Sequence, residues 1–525
     1  MTTATRDRLA AARDGLRLAA APALLTLAIT LTGIGQRQFW RDEQATWWAS
    51  TLPLGQLRRL VEVVDLVLLP YYLLMHFWIK VFGTSEIAMR VPSALFMSLA
   101  AGLLALLGAR FVDAPAGLLA GLLFALVPAV SRYGGEARPY AMALAATLTA
   151  TLLLLHALDR PSPRRWAGYA IALIWLGLSH LIALTVLAAH LLLVIARLHA
   201  THPGRLGHAI RTGRAIVIGW AVAVGAALVA VAPVIWFGSG QDEQIGWIPE
   251  PTWPVVRAFP GELFISTPAA VLILLLALIG IGLALASKAQ PAEKTQPAER
   301  TQPAEETQPA EKATRWTAAV LLVWILLPPT LAYLTFDALG LFYPRYFLFV
   351  LPAVLIAAAW ALRRLATTRR RLIATGLAAA LTLGVAGFPQ QRFVRSNAVE
   401  DEYAWKETAR WLNDRFQPGD RVAYTGYIRL HRGFSYEFSR LPGPDPGEVY
   451  SYVSRKRTWW WSHNLSTDPA RALAGVDRFW LVTAHPEDGP LTHIPPDARD
   501  YFEDNYTVAE TATFHHLQAT LLLSR

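Results

Sequence analysis

The sequence contains no cysteine and little charge. The absence of Cys among its 525 residues excludes disulfides and thiolate metal sites. Only 16% of the residues are charged, whereas soluble chains carry about 25%. Hydrophobic residues make up 54% of the chain, and apolar runs of about 20 residues recur over its first three quarters. Because such runs cross a bilayer as helices, the sequence predicts a polytopic α-helical membrane protein.

The chain has an excess of basic residues, with a formal net charge of +10. Lys and Arg cluster in short loops between apolar runs, which is the positive-inside pattern rather than a nucleic-acid-binding surface. The pattern predicts a cytoplasmic N-terminus and cytoplasmic loops at 160–165, 205–214 and 363–371. We therefore expect a multi-pass protein of the cell membrane that does not bind nucleic acid.

Eleven apolar segments are predicted to span the membrane, and this odd number places the C-terminus outside the cell. The segment 168–198 is interpreted as two short helices that turn near Ser179 and His180. The predicted spans are about 17–35, 91–110, 115–131, 139–157, 168–182, 183–198, 216–236, 269–287, 317–335, 346–362 and 372–388.

One further apolar run, LLPYYLLMHFWIKVFG at 68–83, is not counted as a span. A crossing there would invert the loops that follow and break the positive-inside arrangement. Its tyrosines, tryptophan and lysine suit a helix that lies at the level of the lipid headgroups. We predict an interfacial helix, with a twelfth span as the alternative.

The chain is predicted to divide into a membrane domain at 1–388, whose active site faces the outside of the cytoplasm, and a small extracytoplasmic α/β domain at 389–525. The first extracytoplasmic loop is 36–90, and the Pro-interrupted QPAEKT repeats at 288–316 predict a disordered cytoplasmic linker. In the C-terminal domain, EYAWKETARWLNDRF has helical spacing, and DRVAYTGY, DRFWLVTA and ATLLLSR are typical of short buried strands.

The external loops carry residues suited to a reaction on a lipid phosphate. The adjacent carboxylates Asp42 and Glu43 lie in QFWRDEQATWW, where one of them could deprotonate an acceptor hydroxyl. Arg138 and Arg345, with Tyr346 beside the latter, stand where a guanidinium fork would meet a phosphate. The alternatives are a helix cap for the acidic pair and headgroup anchors for the arginines.

Other polar and aromatic residues of the same loops are candidates to line the substrate. Their rings could stack on sugar faces or on isoprenoid chains, although aromatic side chains in membrane proteins most often form interfacial belts. His180 has a packing role as its alternative, and Asp242 is adjacent to a second acidic residue, Glu243. The substrate-lining candidates are Trp40, Asp65, Tyr71, Tyr72, Glu136, His180, Asp242 and Trp247.

Four segments together resemble a known family. FWRDEQATWWA, PYYLLMHFWIKVFGTSEIAMRVPSAL, SRYGGEARPYAM and FYPRYFLFVLP occur in the order found in GT-C membrane glycosyltransferases, and the resemblance covers about residues 15–390. The family is the one that holds the protein O-mannosyltransferases and the aminoarabinose transferase, the glycosyltransferase family 39 type. The resemblance implies a GT-C fold and a polyprenyl-phosphate sugar donor used on the outer face.

The resemblance also implies roles for single residues. It makes Asp42 the catalytic base with Glu43 as its helper, and it makes Arg138 of EARPY and Arg345 of YPRYF the ligands of the donor phosphate. Many relatives carry HPPLYY before the interfacial helix, where this chain has VLLPYY, so Leu68 lies near the position of their histidine.

The predicted function is therefore an inverting transfer of a sugar from polyprenyl phosphate to an acceptor hydroxyl. Mannose is the sugar that the family favours, with arabinose and other pentoses open, and the acceptor is a protein, a glycolipid or a polysaccharide. The sequence identifies no cofactor and shows no metal-ligand cluster of convincing spacing, and use of a divalent metal is left open because relatives differ in it. A transporter or flippase of lipid-linked sugar is the alternative function, and a non-catalytic scaffold that binds cell-wall glycan is a third.

Overall fold

The computed structural model describes residues 3–201, 213–241, 245–286, 307–400, 403–427, 429–451, 467–486 and 489–525. The chain forms two compact units. We call residues 1–34, 64–71 and 90–394 the helical unit, and residues 35–63, 72–89 and 395–525 the sheet unit.

Helices make up nearly all of the described structure before residue 400. Short 3-10 helices at Leu66–Leu68, Leu181–Val186, Pro344–Val350 and Asn397–Glu400 connect some of them. The α-helices are α1 (Thr3–Leu31), α2 (Arg41–Thr51), α3 (Leu54–Val61), α4 (Leu69–Phe82), α5 (Glu86–Phe111), α6 (Ala114–Leu126), α7 (Pro128–Gly134), α8 (Tyr140–Asp159), α9 (Pro163–Ser179), α10 (Leu187–Thr201), α11 (Arg214–Gly238), α12 (Trp253–Phe264), α13 (Thr267–Ala286), α14 (Thr307–Leu334), α15 (Phe336–Leu339), α16 (Leu351–Leu365) and α17 (Arg369–Phe393).

The number of long apolar helices is close to the number of predicted spans. Among the described residues, nine helices are long and apolar enough to cross a membrane, or ten if α6 and α7, bent by 68°, form one span. The predicted span 168–182 has no counterpart among these candidates. It overlaps α9, which has only 17 residues. The predicted turn at Ser179 and His180 is present, because α9 ends at Ser179 and a 3-10 helix begins at Leu181.

The apolar run 68–83 forms a short helix, as its interpretation as an interfacial segment requires. Helix α4 has 14 residues, which corresponds to about 21 Å at 1.5 Å per residue. That length is well below the ~30 Å of a hydrocarbon core, so α4 is too short to be counted among the candidate spans.

The core of the helical unit is built around α16. The segment Pro344–Leu365, which contains it, is 94% buried, against 17% for the span in α1, and it therefore forms the centre of this unit. Gly280 of α13 packs directly on α16, where a Cβ would lie only 2.1 Å from the Ala357 carbonyl oxygen. Small residues at such positions let two helix backbones approach closely, which is a main source of attraction between helices in lipid.

Part of the predicted cytoplasmic linker is helical. Residues 287–306 lie outside the described part of the chain, whereas the segment from Thr307 onward belongs to α14. The last QPAEK unit of the repeat therefore extends a spanning helix, because Ala, Glu and Lys are strong helix formers once the following apolar segment is anchored.

The C-terminal part of the sheet unit is an α/β domain. Its sheet order is β2-β1-β3-β5-β4; β1 pairs in parallel with β2 and β3, while β5 is antiparallel to β3 and β4. Its elements are α18 (Trp405–Asn413), β1 (Val422–Thr425), α19 (Leu430–Phe438), β2 (Glu448–Ser451), α20 (Pro469–Ala472), β3 (Arg478–Ala484), α21 (Pro496–Asn505), β4 (Tyr506–Phe514) and β5 (Leu517–Ser524).

The sequence predicts the central elements of this domain correctly and misses its edges. The helix α18 and the strands β1, β3 and β5 lie in the segments predicted for them, since their apolar runs fill the two cores on either side of the sheet. The edge strands β2 and β4 were not predicted. Strand β4 is mostly exposed, and its sequence YTVAETATF lacks a continuous apolar run.

The two units divide the chain differently from the domains proposed from the sequence. Helix α17 continues to Phe393, past the proposed boundary at 388. The sequence assigns the whole first loop, 36–90, to the membrane domain, but residues 35–63 and 72–89 group with the C-terminal domain. The helix that carries the acidic pair is therefore part of the sheet unit.

Candidate active site

Arg345 lies in the helical unit at the 3-10 turn Pro344–Val350, where Pro344 fixes the first position of the turn. Its side chain is only 8% exposed. The guanidinium carbon lies 4.9 Å from the ring centre of Tyr343, 5.3 Å from that of Trp247 and 6.0 Å from that of Tyr140. Three electron-rich rings at these distances stabilise a cation and hold its planar donor face in place.

His180 and Tyr346 extend this aromatic cluster. The His180 ring lies 5.5 Å from the Tyr346 ring and 6.1 Å from the Tyr140 ring. The charge of Arg138 acts on His180, and the buried Nδ1 of His180 has no hydrogen-bond partner among the described residues. The structure thus brings together Arg138, His180 and the adjacent residues Arg345 and Tyr346, which come from three separate segments of the sequence, and adds Tyr140 between them.

The turn that carries Arg138 is fixed through its backbone. The Arg138 amide donates to the Glu136 carbonyl at 2.8 Å, and the Arg138 carbonyl accepts from the Ser93 hydroxyl at 3.2 Å. That hydroxyl also bonds the hydroxyl of buried Tyr71 at 3.2 Å. Tyr71, predicted to line the substrate, therefore supports the Arg138 turn through Ser93.

Glu136 forms a fully buried ion pair. Its carboxylate lies 2.8 Å from a guanidinium nitrogen of Arg132, and the two side chains are 0% and 2% exposed. Helix α7 ends between them, so the pair joins the last turn of α7 to the EARPY segment. This geometry favours a structural role for Glu136, although it was predicted to line the substrate.

Removing the Glu136 charge should strongly destabilise the protein. We expect Glu136→Gln to lower the free energy of unfolding by about 3–5 kcal/mol, because Arg132 would keep a buried charge after losing its counter-charge. Thermal unfolding of the detergent-solubilised protein measures the effect. Glu62→Gln is the control, since the Arg58–Glu62 pair is exposed and should contribute less than about 1 kcal/mol. Equal melting temperatures for the two variants would contradict the prediction.

The remaining predicted residues of the helical unit are less closely connected to this cluster. Asp65 is half-buried and adopts a left-handed conformation with φ of 59°, which Asp tolerates better than most residues. The next amide, that of Leu66, bonds the Gln241 side chain at 3.0 Å. Trp247 is 52% exposed where it flanks Arg345, and Asp242 lies outside the described residues.

The acidic pair lies in the first turn of helix α2 in the sheet unit, and its two residues differ in how deeply they are buried. Asp42 and Glu43 both lie in the first turn, where the helix dipole favours negative charge. Glu43 is 0% exposed and lies 3.4 Å from the buried guanidinium of Arg37, whereas Asp42 is half-buried. Glu43 is therefore held in a structural ion pair, and Asp42 is the carboxylate that solvent or a substrate can reach.

The aromatic residues around the acidic pair form a buried cluster. Trp40, which precedes α2, and Tyr72 were predicted to line the substrate, but they are 4% and 0% exposed. Phe39 and Trp47 pack on Tyr436 of α19, with ring centres 4.5 Å and 5.1 Å apart. The aromatic side chains of QFWRDEQATWW therefore mainly attach α2 to the C-terminal domain.

Glu437, the residue after Tyr436, has a carboxyl group with a raised pKa. Burial, and next the negative charge of Glu86, raise the pKa of Glu437 to about 7, although Lys406, Arg440 and Arg410 lower it. Its neutral form is therefore favoured in the folded protein at mildly acidic pH.

The Glu437 shift predicts a pH dependence of stability. Because the folded-state pKa exceeds the ordinary value of 4.5, the stabilisation is complete below about pH 4.5 and is lost as the pH rises to about 7. Glu437→Gln, which is neutral at every pH, should gain stability relative to the natural protein over this window. Melting temperatures of both proteins at a series of pH values test this, and parallel curves would disprove it.

The described residues offer no cluster of three or more His, Asp or Glu side chains that could hold a metal ion. The residues that the sequence analysis missed are Tyr140, Tyr343, Arg37 and Tyr436. The first two lie in the EARPY and YPRYF segments, so their position beside the arginines was the available signal. Arg37 lies close to Glu43 in the chain, but nothing in the sequence indicates their burial.

The chain resembles known proteins in sequence over one segment and in fold over nearly its whole length. Residues 68–237 match the family model of dolichyl-phosphate-mannose-protein mannosyltransferase. No curated protein matches the sequence of this chain. The structure of ArnT from Cupriavidus metallidurans in the apo state is similar with a TM-score of 0.58 at 13% identity, covering 97% of this chain and 98% of that one.

A second structure of the same transferase, bound to undecaprenyl phosphate, has a TM-score of 0.52 at 13% identity. It covers 96% of this chain and 98% of that chain. The similarity in fold thus extends over both units, although the identity is low. The family model and the fold confirm the resemblance predicted from the four sequence segments.

Proposed function

We propose, from the premise that this chain has the GT-C fold of the ArnT transferase, that it is a membrane glycosyltransferase with a polyprenyl-phosphate sugar as donor. The sugar would pass from the lipid phosphate to an acceptor hydroxyl. The observation that carries the proposal is the cluster of Arg345, Arg138 and His180 with their aromatic neighbours, because it offers a phosphate two guanidinium groups beside stacking surfaces.

In the proposed reaction, Asp42 accepts the proton of the acceptor hydroxyl while the hydroxyl oxygen attacks the anomeric carbon. The bond from that carbon to the phosphate oxygen breaks, and its electron pair leaves with the polyprenyl phosphate. Arg138 and Arg345 stabilise the charge that develops on the phosphate, with Tyr346 as a further ligand. A single displacement of this kind inverts the anomeric configuration.

The burial of the acidic pair supports this assignment of roles. A general base must exchange a proton with a substrate, which the half-buried Asp42 can do. Glu43, fully buried and paired with Arg37, acts as a helper that holds the first turn of α2.

Mannose is the sugar we propose, since the matching family model describes a mannosyltransferase. Arabinose and other pentoses are the alternatives, and the acceptor is a protein, a glycolipid or a polysaccharide. We place the N-terminus in the cytoplasm, and the active site and C-terminal domain outside it, because of the basic loops of the sequence.

The proposal is tested by incubating membranes that contain the protein with radiolabelled undecaprenyl-phosphate mannose, and in parallel with the corresponding arabinose donor. We expect label to move from the lipid fraction to membrane acceptors and free undecaprenyl phosphate to appear. Asp42→Asn membranes are the control. Label that crosses the bilayer on intact lipid, without transfer, would replace the proposal by a lipid-sugar transporter.

A further inference from the structure

Tyr436 of α19 packs against the segment that carries the acidic pair. Its side chain is 0% exposed. Its ring lies 4.5 Å from Phe39, just before α2, and 5.1 Å from Trp47, in the second turn of α2. A single aromatic side chain of the C-terminal domain therefore contacts the chain on both sides of Asp42.

A second contact limits rotation of α2 about its axis. The ring of Trp48 lies 5.5 Å from that of His431, which is also in α19. Consecutive residues of a helix point about 100° apart, so Trp47 and Trp48 hold α19 from two directions. A rotation that would move Asp42 to another position must break at least one of these contacts.

The two helices approach closely at Gly433. A Cβ at this position would lie 2.8 Å from Nε2 of Gln44 and 2.5 Å from the Trp405 ring. The Trp405 ring belongs to α18, so glycine is required here for α19 to pack against α18. Nε2 is the end of the flexible Gln44 side chain, and its position shows that this side chain of α2 reaches the backbone of α19 at Gly433.

The segment before α2 is fixed by the same domain. The Gln38 amide donates to the Asn397 side chain at 2.9 Å, and the Gln38 side chain donates to the Tyr403 carbonyl at 2.7 Å. On the other side of Tyr436, Arg440 donates to the Tyr436 hydroxyl and to Glu86. Tyr436 is thus held in place by contacts at both its ring and its hydroxyl.

From these contacts we infer that α19 positions the Asp42 carboxylate for the chemical step, with Tyr436 as its principal positioning residue. The C-terminal domain is then required for turnover itself. This inference rests on the proposed role of Asp42 as the base. Because misplacement of a reacting group by 1 Å lowers rates by about 10²-fold, loss of the Tyr436 contacts should act on kcat.

The test compares Tyr436→Ala and Tyr436→Phe in the transfer assay with undecaprenyl-phosphate mannose. For Tyr436→Ala we expect kcat to fall about 10–100-fold while the donor KM stays within about threefold. Tyr436→Phe keeps the ring between Phe39 and Trp47 and should restore kcat to within about threefold of the natural protein.

Tyr506→Ala is the matched control. Tyr506 is a buried tyrosine, 5% exposed, in the core on the other face of the sheet, where its hydroxyl bonds the Val476 carbonyl at 2.7 Å. Tyr506→Ala should lower the melting temperature about as much as Tyr436→Ala does. Its kcat per folded molecule should stay within about twofold of that of the natural protein. His431→Ala, at a half-buried contact, is a milder second variant whose kcat should fall several-fold.

The outcomes separate this inference from the function on which it rests. Full kcat in folded Tyr436→Ala or in His431→Ala, with Asp42→Asn inactive, would overturn the positioning role alone. Full transfer by Asp42→Asn would overturn the proposed base instead. If Tyr506→Ala lowered kcat as much as Tyr436→Ala, the effect would belong to the stability of the domain, and the inference would be wrong.

Discussion

We expect Asp42→Asn to lower the rate of the proposed sugar transfer by about 10²–10⁴-fold, the range that a positioned general base contributes. Asn has nearly the same shape as Asp but cannot accept the proton of the acceptor hydroxyl. Because Asp42 is half-buried in the first turn of α2, the loss of its favourable interaction with the helix dipole should destabilise the fold by only about 0.3–1 kcal/mol. Transfer of label from undecaprenyl-phosphate mannose measures the rate, and the melting temperature measures the fold.

Glu43→Gln is the matched control for Asp42→Asn, since it makes the same chemical change one residue away. Glu43 is paired with Arg37 in a buried environment and holds the first turn of α2, so this variant should lose stability, and its kcat per folded molecule should fall far less than that of Asp42→Asn. The reverse result, with Glu43→Gln inactive but folded and Asp42→Asn active, would move the base to Glu43.

We expect Arg345→Ala to lower kcat by about 10²–10³-fold, because the proposed reaction would lose a donor that stabilises developing charge. The interaction strengthens as the phosphate leaves, so kcat should fall more than the donor affinity. Arg345→Lys keeps the charge but loses the planar fork held by Tyr343 and Trp247, and should recover only part of the activity.

Inhibition by free undecaprenyl phosphate gives an independent measurement of the Arg345 contact. If Arg345 binds the phosphate, the inhibition constant should rise in Arg345→Ala and remain unchanged in Arg257→Ala, which removes an exposed arginine of the same unit. An unchanged inhibition constant and an unchanged kcat in Arg345→Ala would remove this residue from the phosphate site.

The sequence was most informative where a structural feature depends on neighbouring residues. Apolar runs predicted most of the helices, and the uninterrupted apolar segments predicted β1, β3 and β5. The prediction of eleven spans exceeds the nine or ten candidates among the described residues, because the predicted span 168–182 overlaps α9, which has only 17 residues. Sequence patterns locate helix ends only to within a few residues.

Burial of polar residues could not be predicted from the sequence. Asp42 and Glu43 are adjacent and chemically alike, yet only Glu43 is fully buried with an arginine beside it. Glu136 was predicted to line the substrate because it lies in the same external turn as Arg138, whereas the structure pairs it with Arg132. Burial and pairing depend on which segments pack together, and single-sequence patterns do not carry that information.

By itself, the sequence determined the membrane class, most helices and the central strands, since hydrophobic periodicity is a local property that survives any arrangement of the elements. The order of four short segments was also enough to identify the GT-C fold. Only the tertiary structure decided which charged residues are buried, that Arg345 lies among three aromatic rings, and that Tyr436 contacts the acidic helix. These contacts join segments far apart in the chain, and their formation depends on how whole elements pack against one another.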